Sequence, residues 1–139
     1  MHPNPAFRQT SEAEARRIAA ARGFGLLTAA EAGEVLVAHV PFLLEGDRAE
    51  AHLVRSNPLA RALRSAPRPA KLLVSGPDGY VSPDWYGEAD LVPTWNYVAV
   101  HLSGELRLAD PEGLPAHLER LSARFEEGLA PKRPWTHRK

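Results

Sequence analysis

Two stretches of this chain hold residues whose types and spacing could do chemistry. The first is Ala51-His52-Leu53-Val54-Arg55-Ser56-Asn57-Pro58. It runs from a strand end to the start of a helix, where unsatisfied amides and the helix dipole favour an anion. Arg55 adds a charge-assisted donor there, and Ser56 and Asn57 add neutral ones, a set that suits a phosphate. The same residues also suit an Asn-Pro helix cap beside a solvated arginine, and this segment by itself favours the cap. The second stretch is Gly79-Tyr80-Val81-Ser82-Pro83-Asp84-Trp85-Tyr86, followed by Val92-Pro93-Thr94-Trp95-Asn96-Tyr97. Five aromatics fall in eighteen positions, against 7% aromatic residues in the whole chain. Flat rings beside Ser, Thr and Asn donors suit a planar heteroaromatic ligand. They suit an aromatic subunit interface equally well, and a ligand can lie at such an interface.

Other chemistries find no footing. None of the six histidines (His2, His39, His52, His101, His117, His137) pairs with another at metal-ligand spacing. His39 and His101 fall within strands and read as hydrogen-bonded structural residues; His117 lies beside the apolar stripe of the last helix and reads as structural too. There is no nucleophile elbow, Walker loop or GxGxxG turn. With no cysteine, disulfide scaffolds, thiolate metal sites and thiol catalysis drop out. Seventeen Lys and Arg balance seventeen Asp and Glu, so no global field draws the chain to phosphate backbones or anionic lipid. That counts against a stand-alone DNA binder. No apolar run has the length of a signal peptide or a membrane span, so the expected location is the cytoplasm.

The elements that must position these residues read as α+β in one domain over 1–139. Ser11 and Glu14 fit a capping box opening a helix over Glu12–Arg22, with Gly23 as its left-handed C-cap. Strands are expected over Phe24–Ala29, Glu34–Leu44 and Ala49–Val54, joined at Glu31-Ala32-Gly33 and Gly46-Asp47 into an antiparallel meander. A short helix should run from Asn57-Pro58 to Arg64, followed by a strand Ala70–Ser75 that stops at the turn signal Gly76-Pro77-Asp78-Gly79. Tyr80–Thr94 is expected as an aromatic-bearing loop. In the strand Trp95–Leu108, Val98, Val100, Leu102, Leu106 and Leu108 share one face, with Gly104 as a bend or bulge. A last helix begins at Asp110-Pro111 and buries Leu114, Leu118, Leu121 and Phe125. Five or six antiparallel strands with peripheral helices describe a small barrel. The strand Glu34–Leu44 is apolar on both faces, Leu36, Ala38, Val40 and Phe42 on one and Val35, Val37 and Leu43 on the other, so a second subunit is expected as its outer cover.

The succession AHLVRSNP, GPDGYVSPDWY and VPTWNYVAVHLSGELR resembles the PaiB family of FMN-binding proteins, described as negative transcriptional regulators. The resemblance covers nearly the whole chain, and His39-Val40-Pro41-Phe42-Leu43-Leu44 lies in the expected order. It implies an antiparallel split β-barrel of the pyridoxamine-phosphate-oxidase type, a homodimer with FMN between the subunits. On matching positions, His52, Arg55, Ser56 and Asn57 become candidates for the ribityl-phosphate end. His39 to Pro41 would lie along the ring system, and Tyr80, Ser82, Trp85, Thr94, Trp95 and Asn96 would contact the ring or the partner subunit. Two departures stand out: Ala60 occupies a place where family members often carry Trp, and the family continues past Lys139, so a C-terminal segment is expected to be lacking. The function this implies is FMN-dependent regulation, acting indirectly rather than through DNA contact. The alternative is a flavin-dependent oxidoreductase, because flavin carries its own redox chemistry.

Overall fold

The computed structural model describes residue 4 and residues 9–87, 90–129 and 131–135. His2 and His137 lie outside the described residues.

Chain order is α1 (Glu12–Arg22), β1 (Phe24–Glu31), β2 (Glu34–Glu45), β3 (Arg48–Ala51), α2 (Pro58–Ala62), β4 (Arg68–Val81), β5 (Thr94–Leu106) and α3 (Leu114–Glu126). The strands form one antiparallel sheet ordered β3-β2-β1-β4-β5. The sheet is open, with β3 and β5 as its edges, as in a split barrel. The fold class is α+β.

Local chemistry accounts for most of these boundaries. Ser11 caps α1 by accepting from the Glu14 amide at 3.2 Å, and Gly23 closes it at φ 56°. The reciprocal half of the expected capping box is absent: the Glu14 carboxylate pairs with Arg17 instead, at 2.6 Å. Arg16 ties α1 to the β2–β3 turn through the Gly46 carbonyl at 2.6 Å and Asp47 at 2.7 Å. The β1–β2 turn is Ala32-Gly33, both at positive φ (50° and 87°), as a two-residue hairpin turn of primed type requires.

One face of the sheet holds the core. Leu27 and Ala29 of β1, Ala38, Val40 and Phe42 of β2, Leu72 and Val74 of β4 and Val100 of β5 are buried against Ala19 of α1 and Leu59 and Leu63 of α2. Gly25 lets β1 approach β4 closely: a Cβ there would stand 2.7 Å from the Leu73 carbonyl oxygen. The other face is open. Val35 is 68% exposed, Val37 49% and Phe24 41%, so no described residue covers the Val35–Val37 part of the second apolar face of β2.

Several expectations need correcting. β4 does not stop at Ser75 but continues to Val81, paired with Thr94–Tyr97. Gly76-Pro77-Asp78-Gly79 is a bulge in this ribbon, because Gly76 and Pro77 together oppose Val98 between the pairs Ser75–Ala99 and Asp78–Tyr97. Gly104, by contrast, pairs regularly with Ala70. β3 ends at Ala51 and α2 at Ala62, both shorter than expected, and the Asp110-Pro111 cap opens a separate 3₁₀ turn (Pro111–Gly113) ahead of α3.

Candidate functional site

The phosphate-type candidates lie on the connection from β3 to α2. Asn57 is the N-cap of α2, its side-chain oxygen accepting from the Leu59 amide at 2.9 Å. That oxygen is engaged in capping, as the plainer reading of the segment holds. Arg55 and Ser56 are exposed one turn ahead of it. The Arg55 carbonyl accepts from the Arg64 guanidinium at 3.0 Å, which fixes the backbone, and among the described residues no ion pair occupies the Arg55 guanidinium. His52 is half-buried, and its Nδ1 is buried without a hydrogen-bond partner. α2 has only five residues, so its dipole adds little; the donors for an anion are the side chains.

The ring-type candidates divide into two groups. His39 and Pro41 lie on β2, His39 on the open face, where it stacks on Phe24 with ring centroids 6.4 Å apart. His39, Leu26, Leu73 and His101 form one row across β2, β1, β4 and β5. Both histidines of that row are exposed, and their side chains make no hydrogen bond within the described residues, contrary to the expectation of hydrogen-bonded strand histidines.

The second group sits on the β4–β5 ribbon beyond the bulge, past the reach of β1. Tyr80 pairs with Trp95 in register, and their rings meet edge-to-face at 6.0 Å. Thr94 opposes Val81 and Asn96 opposes Gly79. Ser82 caps the turn Pro83–Trp85 by accepting from the Asp84 amide at 3.3 Å. By alternation along β5, Trp95, Tyr97, Ala99 and His101 share the open face. Nothing among the described residues covers this arm: Trp85 is 72% exposed, Trp95 60% and Tyr97 57%.

The two stretches do not meet. Among the described residues no hydrogen bond, ion pair or ring contact joins His52, Arg55, Ser56 or Asn57 to Tyr80, Ser82, Trp85, Thr94, Trp95 or Asn96. A cleft of about 160 Å³ between α1, β2 and α3 is lined by Ala20, Phe42, Leu43, Leu44, Glu45, Arg124 and Phe125 and touches no candidate residue. It falls below the roughly 300 Å³ at which small-molecule pockets begin. No cluster of three or more His, Cys, Asp or Glu among the described residues could hold a metal ion.

Two residues outside the candidate set belong in this description. Phe24 places an exposed ring against His39, a pairing visible only once β1 and β2 are in register. His117 of α3 is buried edge-on against His52, with ring centroids 5.6 Å apart. Its place beside the apolar stripe was legible, but its partner was not, since β3 and α3 are far apart in sequence.

Among the described residues, then, an arginine without an ion pair and a hydroxyl lie on one segment and exposed flat rings on another. Comparison with known proteins bears on this arrangement. The solved structure of an FAD and heme binding protein from Mycobacterium smegmatis is similar over 93% of this chain and 61% of its own, with TM-score 0.69 and 22% identity. The flavocytochrome Anf3 from Azotobacter vinelandii is similar over 91% of this chain and 57% of its own, with TM-score 0.58 and 22% identity. Both likenesses are of fold. The protease synthase and sporulation protein PAI 2 of Bacillus subtilis (strain 168) is 27% identical over 125 residues, 87% of this chain and 59% of the relative. The chain thus spans less than two thirds of the length of these relatives. The family described as "Putative FMN-binding domain" matches residues 1–139, and the chain belongs to this family of FMN-binding domains.

Proposed function

We propose that this chain works as a homodimer of the PaiB type that holds FMN between its two copies and regulates transcription indirectly. The observation that carries this reading is that, among the described residues, the two ligand-suited stretches make no direct contact within one chain. In this reading a flavin takes its phosphate end from one copy and its ring contacts from the other. Support for a second copy comes from the uncovered apolar face of β2 and the exposed aromatic arm, which together leave Val35, Val37, Tyr80, Trp85, Trp95 and Tyr97 without cover.

In this arrangement Arg55 and Ser56 hold the phosphate, with His52 beside them, and Asn57 keeps the α2 start in shape. Tyr80, Trp95 and Asn96, with Ser82, Trp85 and Thr94 nearby, border the ring system, and His39 and Pro41 line it from β2. Bound FMN supplies one- and two-electron redox chemistry of its own. The chain's residues bind it, orient it and exclude water. Balanced net charge supports an indirect effect on transcription, and so does the lack, among the described residues, of a helix pair with a basic recognition helix. A gel-shift titration at low salt should show no sequence-specific DNA binding; specific, salt-dependent binding would contradict the indirect reading.

The flavin assignment is tested by titrating apoprotein with FMN and following flavin fluorescence. Wild type should bind about one FMN per chain. Arg55→Ala should weaken binding by about tenfold or more, the usual loss of a charge-assisted phosphate contact, with unfolding stability unchanged because the side chain is exposed. Equal affinity in the variant would remove Arg55 from the site.

A further inference from the structure

Of the thirteen residues of α3, two are buried: Leu121 and His117. Leu121 is an ordinary apolar anchor, whereas His117 is an anchor that can acquire charge. It is 7% exposed, and neither ring nitrogen has a hydrogen-bond partner. Its ring stands edge-on to His52, whose Nδ1 is likewise buried and unpartnered. Glu50 Oε2 lies 3.6 Å from His117 Nδ1, just outside hydrogen-bond reach, and Arg120 of α3 and Arg48 of β3 already engage that carboxylate. The titratable and charged groups that act on His117 are therefore Glu50 and His52 from β3 and its exit and Arg120 from its own helix.

This place favours a neutral imidazole over an imidazolium. Burial strips a charged ring of water, His52 presses against it, and Arg120 adds a like charge. Glu50 alone pulls the other way, with its charge shared by two arginines. Burial first, then repulsion from His52, holds His117 below the ordinary histidine value of 6.5.

We propose that the His52–His117 contact is an acid-released latch, which docks α3 on the β3 edge while the His117 ring is neutral and frees it when that ring takes up a proton. An imidazole whose proton affinity is depressed in the docked state binds its proton more readily once undocked. Docking is thus fully favoured above pH 6.5 and loses ground as pH falls below that value. Release of α3 takes the cover from His52, at the start of the segment carrying Arg55. The latch stands on the contact itself and not on flavin binding.

Hydrogen exchange on the full chain without added flavin tests it. Protection of the amides of α3, taken relative to those of β1 and β4 and corrected for intrinsic rate, is compared at about pH 7.5 and about pH 5.5, either side of the histidine range. In wild type the relative protection of α3 should fall by roughly threefold or more on acidification, the linkage effect of a single displaced proton. In His117→Phe, which keeps a buried ring that cannot be charged, it should not change. No fall in wild type, or an equal fall in His117→Phe, overturns the latch. Should His117→Phe fail to fold, the His117 imidazole resonance of wild type decides. A midpoint below 6.5 that tracks the loss of α3 protection supports the latch, and a midpoint at or above 6.5 overturns it.

Discussion

Arg55, Ser56 and Asn57 stand in a row, and the structure gives them different work. Asn57 spends its side-chain oxygen on the Leu59 amide, so its first contribution is to the start of α2. Asn57→Ala should cost about 1 kcal/mol of stability in urea unfolding, the usual loss for a cap. Arg55→Ala should cost none, so paired measurements of stability and FMN affinity separate the residue that shapes the segment from the one that holds the ligand. The cap was legible because it is written in adjacent residues, an Asn before a Pro. The His52–His117 pair was not, because its members meet only through the docking of α3. Nor could the sequence tell that His39 and His101 face outward with no hydrogen bond, since alternation along a strand separates two faces without saying which one is covered.

At the scale of elements, alternation placed the strands and turn chemistry placed most of their ends. The exception is Gly76-Pro77-Asp78-Gly79, whose residues suit a turn and a bulge alike. Only pairing with β5 distinguishes the two, and that pairing turns part of an expected loop into the ribbon carrying Tyr80 and Trp95. The β1–β2 turn holds a local mismatch: Ala32 sits at φ 50°, a conformation that Asn adopts more readily. Ala32→Asn should raise stability by roughly 0.5–1 kcal/mol in urea unfolding, because Asn-Gly is the preferred pair for such a turn. Gly25→Ala should act the other way, costing about 1–3 kcal/mol as its methyl forces β1 from the Leu73 carbonyl. A neutral outcome there would mean that the β1–β4 spacing can relax.

For the whole molecule, the decisive feature is what one chain leaves uncovered. Its core occupies one face of the sheet, while the other face and the β4–β5 arm present Val35, Val37, Tyr80, Trp85, Trp95 and Tyr97 to solvent. The double-sided apolar pattern of β2 was readable beforehand; the extent of the arm was not, because it depends on the bulge. Residues suited to a phosphate and residues suited to a flat ring make no direct contact among the described residues, and with the uncovered apolar face this supports a pair of chains as the proposed FMN-binding unit. Sedimentation velocity of the FMN-loaded protein, followed at the flavin absorbance, tests that most directly. The flavin boundary should move as a species of twice the 15.2 kDa chain mass, with one FMN per chain. Flavin carried by a single chain, or a dimer that takes up no flavin, would contradict it.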